Sequence, residues 1–371
     1  MTIRIPPAFE GRLLRSYLTH TLSLSSGTLA RLKARERGIT VNGRHVTVRY
    51  VLHAGDLLEL DDADTPEEAT RTVLPVPGPL YILYEDDSLI ILNKPAGMPT
   101  HPSHGHLTDT LANALAYRYA QSGTPFVFRP LGRLDRNTSG VVAVSKTYAV
   151  SGFLGQALVR HEISKRYLAV LEGRLPVDGL VHTIEVPILP PAVGTAMRTA
   201  CDPDTPGSEY SLTRYRVLAV GGSHTLVLAE PCTGRTHQLR VHFAHLHHPL
   251  VGDELYGGQK EASGSPLIHR HALHALSLSL PLPFLRASGK EDDRIPTDRL
   301  DPSVPLNLPS ADGYLHTWAP LPADMEALIK KEIYGSADGF EGSPLPSGAF
   351  AGGDSPTVGQ LRQLASPLLG L

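Results

Sequence analysis

The chain reads as an α+β protein, with a small N-terminal domain ahead of a larger domain built on a mostly antiparallel mixed sheet. Three observations predict this. Short apolar runs outnumber helical repeats, and the two kinds do not alternate as a doubly wound fold requires. Asn42-Gly43 and Glu85-Asp86-Asp87 each separate two such runs, as hairpin turns do. The charge is also divided: Arg12, Arg15, Arg31, Lys33, Arg35, Arg37, Arg44 and Arg49 face only Glu36 between residues 11 and 51, although the whole chain carries a net −3.

The elements follow in order. Leu13, Leu14, Tyr17 and Leu18 lie at helical spacing, and a second helix starts after Ser25-Ser26 and stops at Gly38. Residues 39–41 form a strand, Asn42-Gly43 turns it, Val46 and Val48 continue the hairpin, and residues 55–60 close the unit. Residues 63–79, acidic and rich in Thr and Pro, read as a linker. Strands at 81–84 and 89–92 precede a constrained loop, Asn93-Lys94-Pro95-Ala96-Gly97. Leu111, Leu115 and Tyr119 share one face of a helix over 107–121. Strands follow at 141–144, 166–170, 182–188, 210–220 and 225–230, with a helix near 147–161. Residues 192–207 and 287–313 read as insertions, 314–333 return to order, and 335–371 read as a flexible tail in which 361–371 form a short helix.

At 371 residues the chain accommodates two or three domains. No apolar run is long enough to cross a bilayer, and two cysteines, Cys201 and Cys232, support neither a disulfide framework nor a cysteine-rich zinc site. No secretory leader is apparent, so a cytoplasmic location is expected. The basic N-terminal block points to a local polyanion contact through Arg12, Arg15, Arg31, Lys33, Arg35 and Arg37. A solvated structural helix is the plainer reading of the same charges.

Two strings carry chemistry. In the first, Asp135 stands between Arg133 and Arg136, ahead of Thr138-Ser139-Gly140 and an apolar strand. A carboxylate is the form needed for nucleophilic or base chemistry, though an Asp in such a turn also serves simply as a turn residue. The second is Thr233-Gly234-Arg235-Thr236-His237-Gln238-Leu239-Arg240, at the start of a helix, where Arg235 is placed to pair with a carboxylate or merely to solvate a helix end. Tyr167, in Lys165-Arg166-Tyr167, reads either as core packing or as a site residue. Clustered histidines (His101, His104 and His106; His242, His245, His247 and His248; His269, His271 and His274) raise zinc as an alternative, but no His-Glu-x-x-His pattern occurs.

Taken together, these strings resemble the ribosomal large-subunit type of RNA pseudouridine synthase, whose signature reads Arg-Leu-Asp-x-x-Thr-Ser-Gly. Most members carry His or Asn before that Arg, and this chain has Gly132. Residues 6–60 resemble the S4 RNA-binding domain, and Trp318-Ala319-Pro320-Leu321-Pro322 resembles the family's closing segment. The resemblance implies an S4-like domain over 1–62, a linker over 63–79 and a pseudouridine-synthase fold over 80–334. It implies Asp135 as the catalytic nucleophile, Arg235 in contact with it, and Tyr167 stacked on the uracil and available for proton transfer. Arg133, Thr138 and Leu239 are expected to contact substrate. The reaction would cleave the base from its ribose, rotate it and rejoin it through carbon 5, with no metal and no nucleotide cofactor. Asp135 would attack ribose carbon 1, attack the base, or abstract a ribose proton. The expected partner is RNA, ribosomal (23S) before transfer RNA, reached as a flipped nucleotide by a monomeric enzyme. A non-catalytic RNA-binding or ribosome-assembly protein on the same fold is the alternative from another class.

Overall fold

The computed structural model describes residues 2–70, 73–192, 195, 197–257, 268–281, 313–335 and 341–342. The expected insertion at 287–312, the tail beyond 342 and its short helix lie outside the described residues.

The N-terminal unit is a four-stranded antiparallel sheet, β1 (Thr2–Arg4), β2 (Ile39–Val41), β3 (Arg44–His45) and β4 (Leu57–Leu60), in the order β1-β4-β2-β3. Helix α1 (Leu14–Ser16) runs on into a wider turn over Tyr17–Thr21, and α2 (Ser26–Ala34) starts at Ser25, whose hydroxyl accepts the Thr28 N–H as an N-cap. A short helix, α3 (Pro66–Thr70), follows the unit. The Asn42-Gly43 turn forms where expected, with both residues at positive φ. Two departures are local. Strand β3 covers residues 44–45 and ends before Val46 and Val48, and β1, only three residues long, carries too short a pattern to be read from sequence.

The larger sheet contains β5 (Ile82–Glu85), β6 (Leu89–Lys94), β7 (Arg129–Pro130), β8 (Ser139–Ser145), β9 (Ser164–Glu172), β10 (His182–Glu185), β13 (Leu212–Gly221), β14 (His224–Pro231), β15 (Leu273–Pro281) and β16 (Tyr314–Trp318); β11 (Ile188–Leu189) and β12 (Thr199–Ala200) form a separate pair. The path runs β10-β13-β14-β9-β15-β8-β6-β5, and β15 with β8 is its one parallel pairing among the described residues. This is the mixed, mostly antiparallel sheet the sequence predicts. Glycine is required at that parallel junction: Gly140 has φ 113°, and a Cβ there would lie 2.1 Å from the Ala275 carbonyl oxygen.

Period-2 alternation assigns the two faces. Ile90, Leu92, Val142 and Val144 pack under α4 (Leu111–Gln121), while Ala169, Val227 and Ala229 pack with Leu239 and Phe243 of α6 (Gln238–His245). Tyr167 touches both clusters, so it stands where the two halves of that face meet. On the opposite face, Leu168, Val170 and Leu228 pack with α7 (Ala323–Ile329). There too, Leu89, Ile91 and Val141 join one continuous core with Phe153 and Leu154 of α5 (Tyr148–Val159) and with Ile3, Leu14, Leu18 and Leu58 of the N-terminal unit.

The N-terminal unit is therefore docked through apolar contact. The stretch after it adds polar braces: Asp64, buried, pairs with Arg129, Arg31 pairs with Glu68 and lies 4.0 Å from the Tyr148 ring centre, and Arg35 donates to the Asp61 and Ala63 carbonyls. Arg31 thereby reaches Tyr148 of α5 and Arg35 holds the stretch that follows β4, whereas Arg12, Arg15, Lys33 and Arg37 are exposed.

Candidate active site

Residues 131–138 form a turn ahead of β8, and its shape is fixed from below. Lys94, fully buried at the end of β6, donates to the carbonyls of Pro95 (2.9 Å), Met98 (2.7 Å) and Arg136 (3.1 Å). Burial brings its pKa down to about 7, against a smaller opposing pull from Asp135. The Thr100 hydroxyl donates to the Leu134 carbonyl and accepts its N–H. Thr138 is 2% exposed and its hydroxyl is hydrogen-bonded to His271 Nε2 at 2.8 Å. That bond ties Thr138 to the scaffold of the turn, and Thr138 also lines the cleft described next.

Held this way, Asp135 presents its carboxylate to a cleft of about 840 Å³ between the 131–135 turn and the 233–237 loop, with Lys165 and Tyr167 of β9 also lining it. Its Oδ2 lies 3.5 Å from Arg240 Nη1 and 4.0 Å from His237 Nε2. Its Oδ1 makes no polar contact with the described residues. Oδ2 is thus the oxygen turned toward Arg240, at ion-pair rather than hydrogen-bond distance.

The anchoring cation is Arg240, and the expected pairing of Arg235 with Asp135 is not formed. Arg235 precedes α6, and its Nε donates to the Tyr210 carbonyl at 3.0 Å at the exposed edge of the cleft. The loop between them is shaped by Gln238, whose side-chain oxygen accepts the Arg235 N–H and the Thr233 hydroxyl. Arg240, one turn into the helix, faces inward. It forms a two-pronged pair with the fully buried Asp253 carboxylate (2.7 and 2.8 Å) and reaches Asp135 with its remaining nitrogen. Asp253 also accepts the N–H groups of Leu255 and Tyr256. Burial pushes its pKa up, but Arg240 and these bonds bring it net below the ordinary carboxylate value.

His237 sits at the N-cap of α6 in the left-handed region (φ 58°), an uncommon conformation for a side-chain-bearing residue. Its Nδ1 is 3.0 Å from the Tyr256 hydroxyl, which accepts the Arg198 N–H. Tyr167 lines the cleft with its hydroxyl unbonded to the described residues, and burial first, then Asp135, raises its pKa beyond the usual phenol range. Leu239 is buried at the cleft wall, and Arg133 spans the mouth to the Thr236 hydroxyl at 3.3 Å. The structure thus brings Asp135, Tyr167, Arg133 and Leu239 to one cleft, leaves Arg235 at its edge, and adds Arg240, His237 and Asp253.

The clustered histidines serve as hydrogen-bond partners. His242 is bonded to the hydroxyls of Ser211 and Thr213, and His274 to Ser139. No group of three metal-ligating side chains occurs among the described residues. Burial lowers the pKa of His242, His271 and His274 to about 4 each. Unfolding restores ordinary values near 6.5, so between pH 6.5 and 4 the unfolded chain binds more protons and stability falls as pH falls. Each histidine accounts for up to about 3 kcal/mol over that window. Urea midpoints at pH 7.0 and 5.0 check this; equal midpoints would show these rings titrate alike in both states.

A family model described as RNA pseudouridylate synthase matches residues 88–245. The uncharacterised RNA pseudouridine synthase YjbO of Bacillus subtilis is 34% identical over 311 residues, spanning 84% of this chain and 96% of that protein. Ribosomal large subunit pseudouridine synthase D of Escherichia coli K12 is 36% identical, over 65% of this chain and 74% of that one. Among solved structures, human RNA pseudouridylate synthase domain containing 1 is 28% identical over 69% of this chain and 98% of that chain, with a TM-score of 0.45. The cleft and its motifs belong to an isomerase acting on RNA. This chain is a member of the RNA pseudouridine synthase family. No helix among the described residues is long and apolar enough to cross a membrane.

Proposed function

We propose that this chain converts uridine to pseudouridine in large-subunit ribosomal RNA, with Asp135 as the reacting carboxylate. The observation that carries the assignment of Asp135 is its placement: its carboxylate lines the cleft beside Tyr167 with Arg240 3.5 Å from Oδ2. The ribosomal target is supported by similarity to proteins named for the large ribosomal subunit.

In the reaction the bond from ribose carbon 1 to N1 breaks, a bond to carbon 5 forms, the carbon 5 proton leaves and N1 gains one. Arg240 balances the carboxylate charge in a partly desolvated site, where a fixed cation acts more strongly than in water. Tyr167, on the cleft floor, stacks on the uracil and is placed to move the late proton. Arg133 at the mouth and Leu239 on the wall contact the flipped nucleotide. Mapping pseudouridine in ribosomal and transfer RNA from cells lacking the gene tests the target: loss at a large-subunit site is expected, and loss confined to transfer RNA would move the assignment there.

The N-terminal unit acts in this reading as an S4-like RNA anchor through the exposed Arg12, Arg15, Lys33 and Arg37. Replacing Arg15 and Lys33 by Gln is expected to lower the log–log salt slope of RNA binding by roughly 0.7–0.9 for each phosphate no longer neutralised. Replacing Arg31 should instead lower the melting temperature, since its side chain pairs with Glu68 and packs on the Tyr148 ring. An unchanged salt slope in the Arg15/Lys33 double variant would remove the anchor role.

A further inference from the structure

We propose that Lys165, together with the side-chain-free position at Gly132, forms an anion subsite that takes one phosphodiester of the substrate RNA beside the reacting nucleotide. The proposal rests on the RNA reading given above.

Lys165 lies two residues before Tyr167 on β9, so both side chains project from the same face into the cleft. Its stem lies in an apolar setting of Leu131, Leu134 and Leu278. Its ammonium makes no hydrogen bond and no ion pair with the described residues. The other buried cations around the site are differently placed: Lys94 donates to three carbonyls, Arg129 pairs with Asp64, Arg240 with Asp253 and Arg270 with Asp324. Glu230, the second carboxylate lining the cleft, is engaged by Ser164 and Arg166. Burial alone depresses the Lys165 pKa, the mark of a cation that has lost water without gaining a partner. Such a group costs stability until a ligand oxygen meets it.

Gly132 explains how a ligand reaches it. The backbone at 132 lies outside the left-handed region, so glycine is not needed there for conformation. A Cβ at that position would lie 3.1 Å from Lys165 Nζ. What glycine supplies is room, and the room opens directly onto the ammonium. Lys165 forms no ion pair with Asp135, whose paired cation is Arg240. A free ammonium on the cleft wall suits the one formally charged group that each nucleotide carries. Uracil carbonyls are the competing oxygen acceptors, and the experiment separates them.

The test uses the full-length enzyme, an RNA fragment containing the mapped uridine, and a series of that RNA in which single phosphodiesters are replaced by neutral methylphosphonates. With Lys165→Met, apparent affinity should fall about tenfold, the loss of one charge-assisted bond, and appear in KM more than in kcat. The salt slope of binding should fall by roughly 0.7. One methylphosphonate near the target should weaken the wild-type enzyme by a similar factor and have little further effect on Lys165→Met. Gly132→Val, which closes the approach without altering charge, should reproduce the loss. Lys165→Met should melt at or above the wild-type temperature, because it removes an unpartnered buried charge; a clearly lower melting temperature would make Lys165 a structural residue and overturn the proposal. Equal sensitivity of both proteins to every methylphosphonate would also overturn it, as would a coupling found only with uracil-carbonyl analogues. Absence of pseudouridine in the wild-type reaction is a separate result that removes the RNA reading itself, and the subsite with it.

Discussion

Asp135→Asn is expected to abolish pseudouridine formation while leaving the fold and RNA binding nearly intact. The turn that carries residue 135 is fixed by Lys94, Thr100 and His271, none of which bonds the Asp135 side chain. An amide of the same shape therefore fits without rearrangement. It will place its oxygen toward Arg240, a donor, and so turn its NH₂ to the position Oδ1 now occupies. The group facing the nucleotide becomes a neutral donor that cannot act as nucleophile or base. Turnover should fall below detection, with the melting temperature within a few degrees of wild type. Single-turnover assays with excess enzyme, beside a binding titration, check both halves. Pseudouridine formation near the wild-type rate would remove Asp135 from the reaction.

The parts of this arrangement visible in the sequence are those fixed by local chemistry. The helix start at Ser25-Ser26, Asn42-Gly43 as a turn and the alternating strands need only neighbouring residues, and they form within a residue or two of where they are expected. The Asp135 turn is legible for the same reason. What sequence could not resolve is direction. Arg235 and Arg240 stand five residues apart in one string, and both are plausible carboxylate partners. The choice depends on His237 starting the helix in a left-handed conformation, which leaves Arg235 outside and turns Arg240 inward. The available signal is Asp253, an acidic residue in the otherwise apolar Leu250-Val251-Gly252 setting, which implies a buried cation nearby. Charge counting fails in the same way at Arg31 and Arg35. Their partners are Glu68 and Ala63, in the stretch that reads as a linker by composition, and Asp61 just before it.

Arg240 separates stability from chemistry, and Arg235 is its control. Arg240→Ala leaves the Asp253 carboxylate buried without its counter-charge, a loss of about 3–5 kcal/mol. Activity should disappear with it. That result alone would not distinguish a missing catalytic cation from a damaged fold, so a second variant is needed. In Arg240→Met/Asp253→Asn, both charges are removed and the amide oxygen still accepts the Leu255 and Tyr256 N–H groups. Stability should recover most of the deficit, because an unpaired buried charge is no longer present. Activity should not recover, because nothing then balances the Asp135 carboxylate at Oδ2. Arg240→Lys should be intermediate in stability and poor in turnover, since one ammonium cannot hold Asp253 with two bonds and reach Asp135 as well. Arg235→Ala, which removes a bond to the Tyr210 carbonyl at the edge of the cleft, should cost far less in kcat than any Arg240 variant. Denaturant midpoints and single-turnover rates across these four proteins decide the matter. Full activity in Arg240→Met/Asp253→Asn, or a loss in Arg235→Ala as deep as in Arg240→Ala, would return the pairing with Asp135 to Arg235.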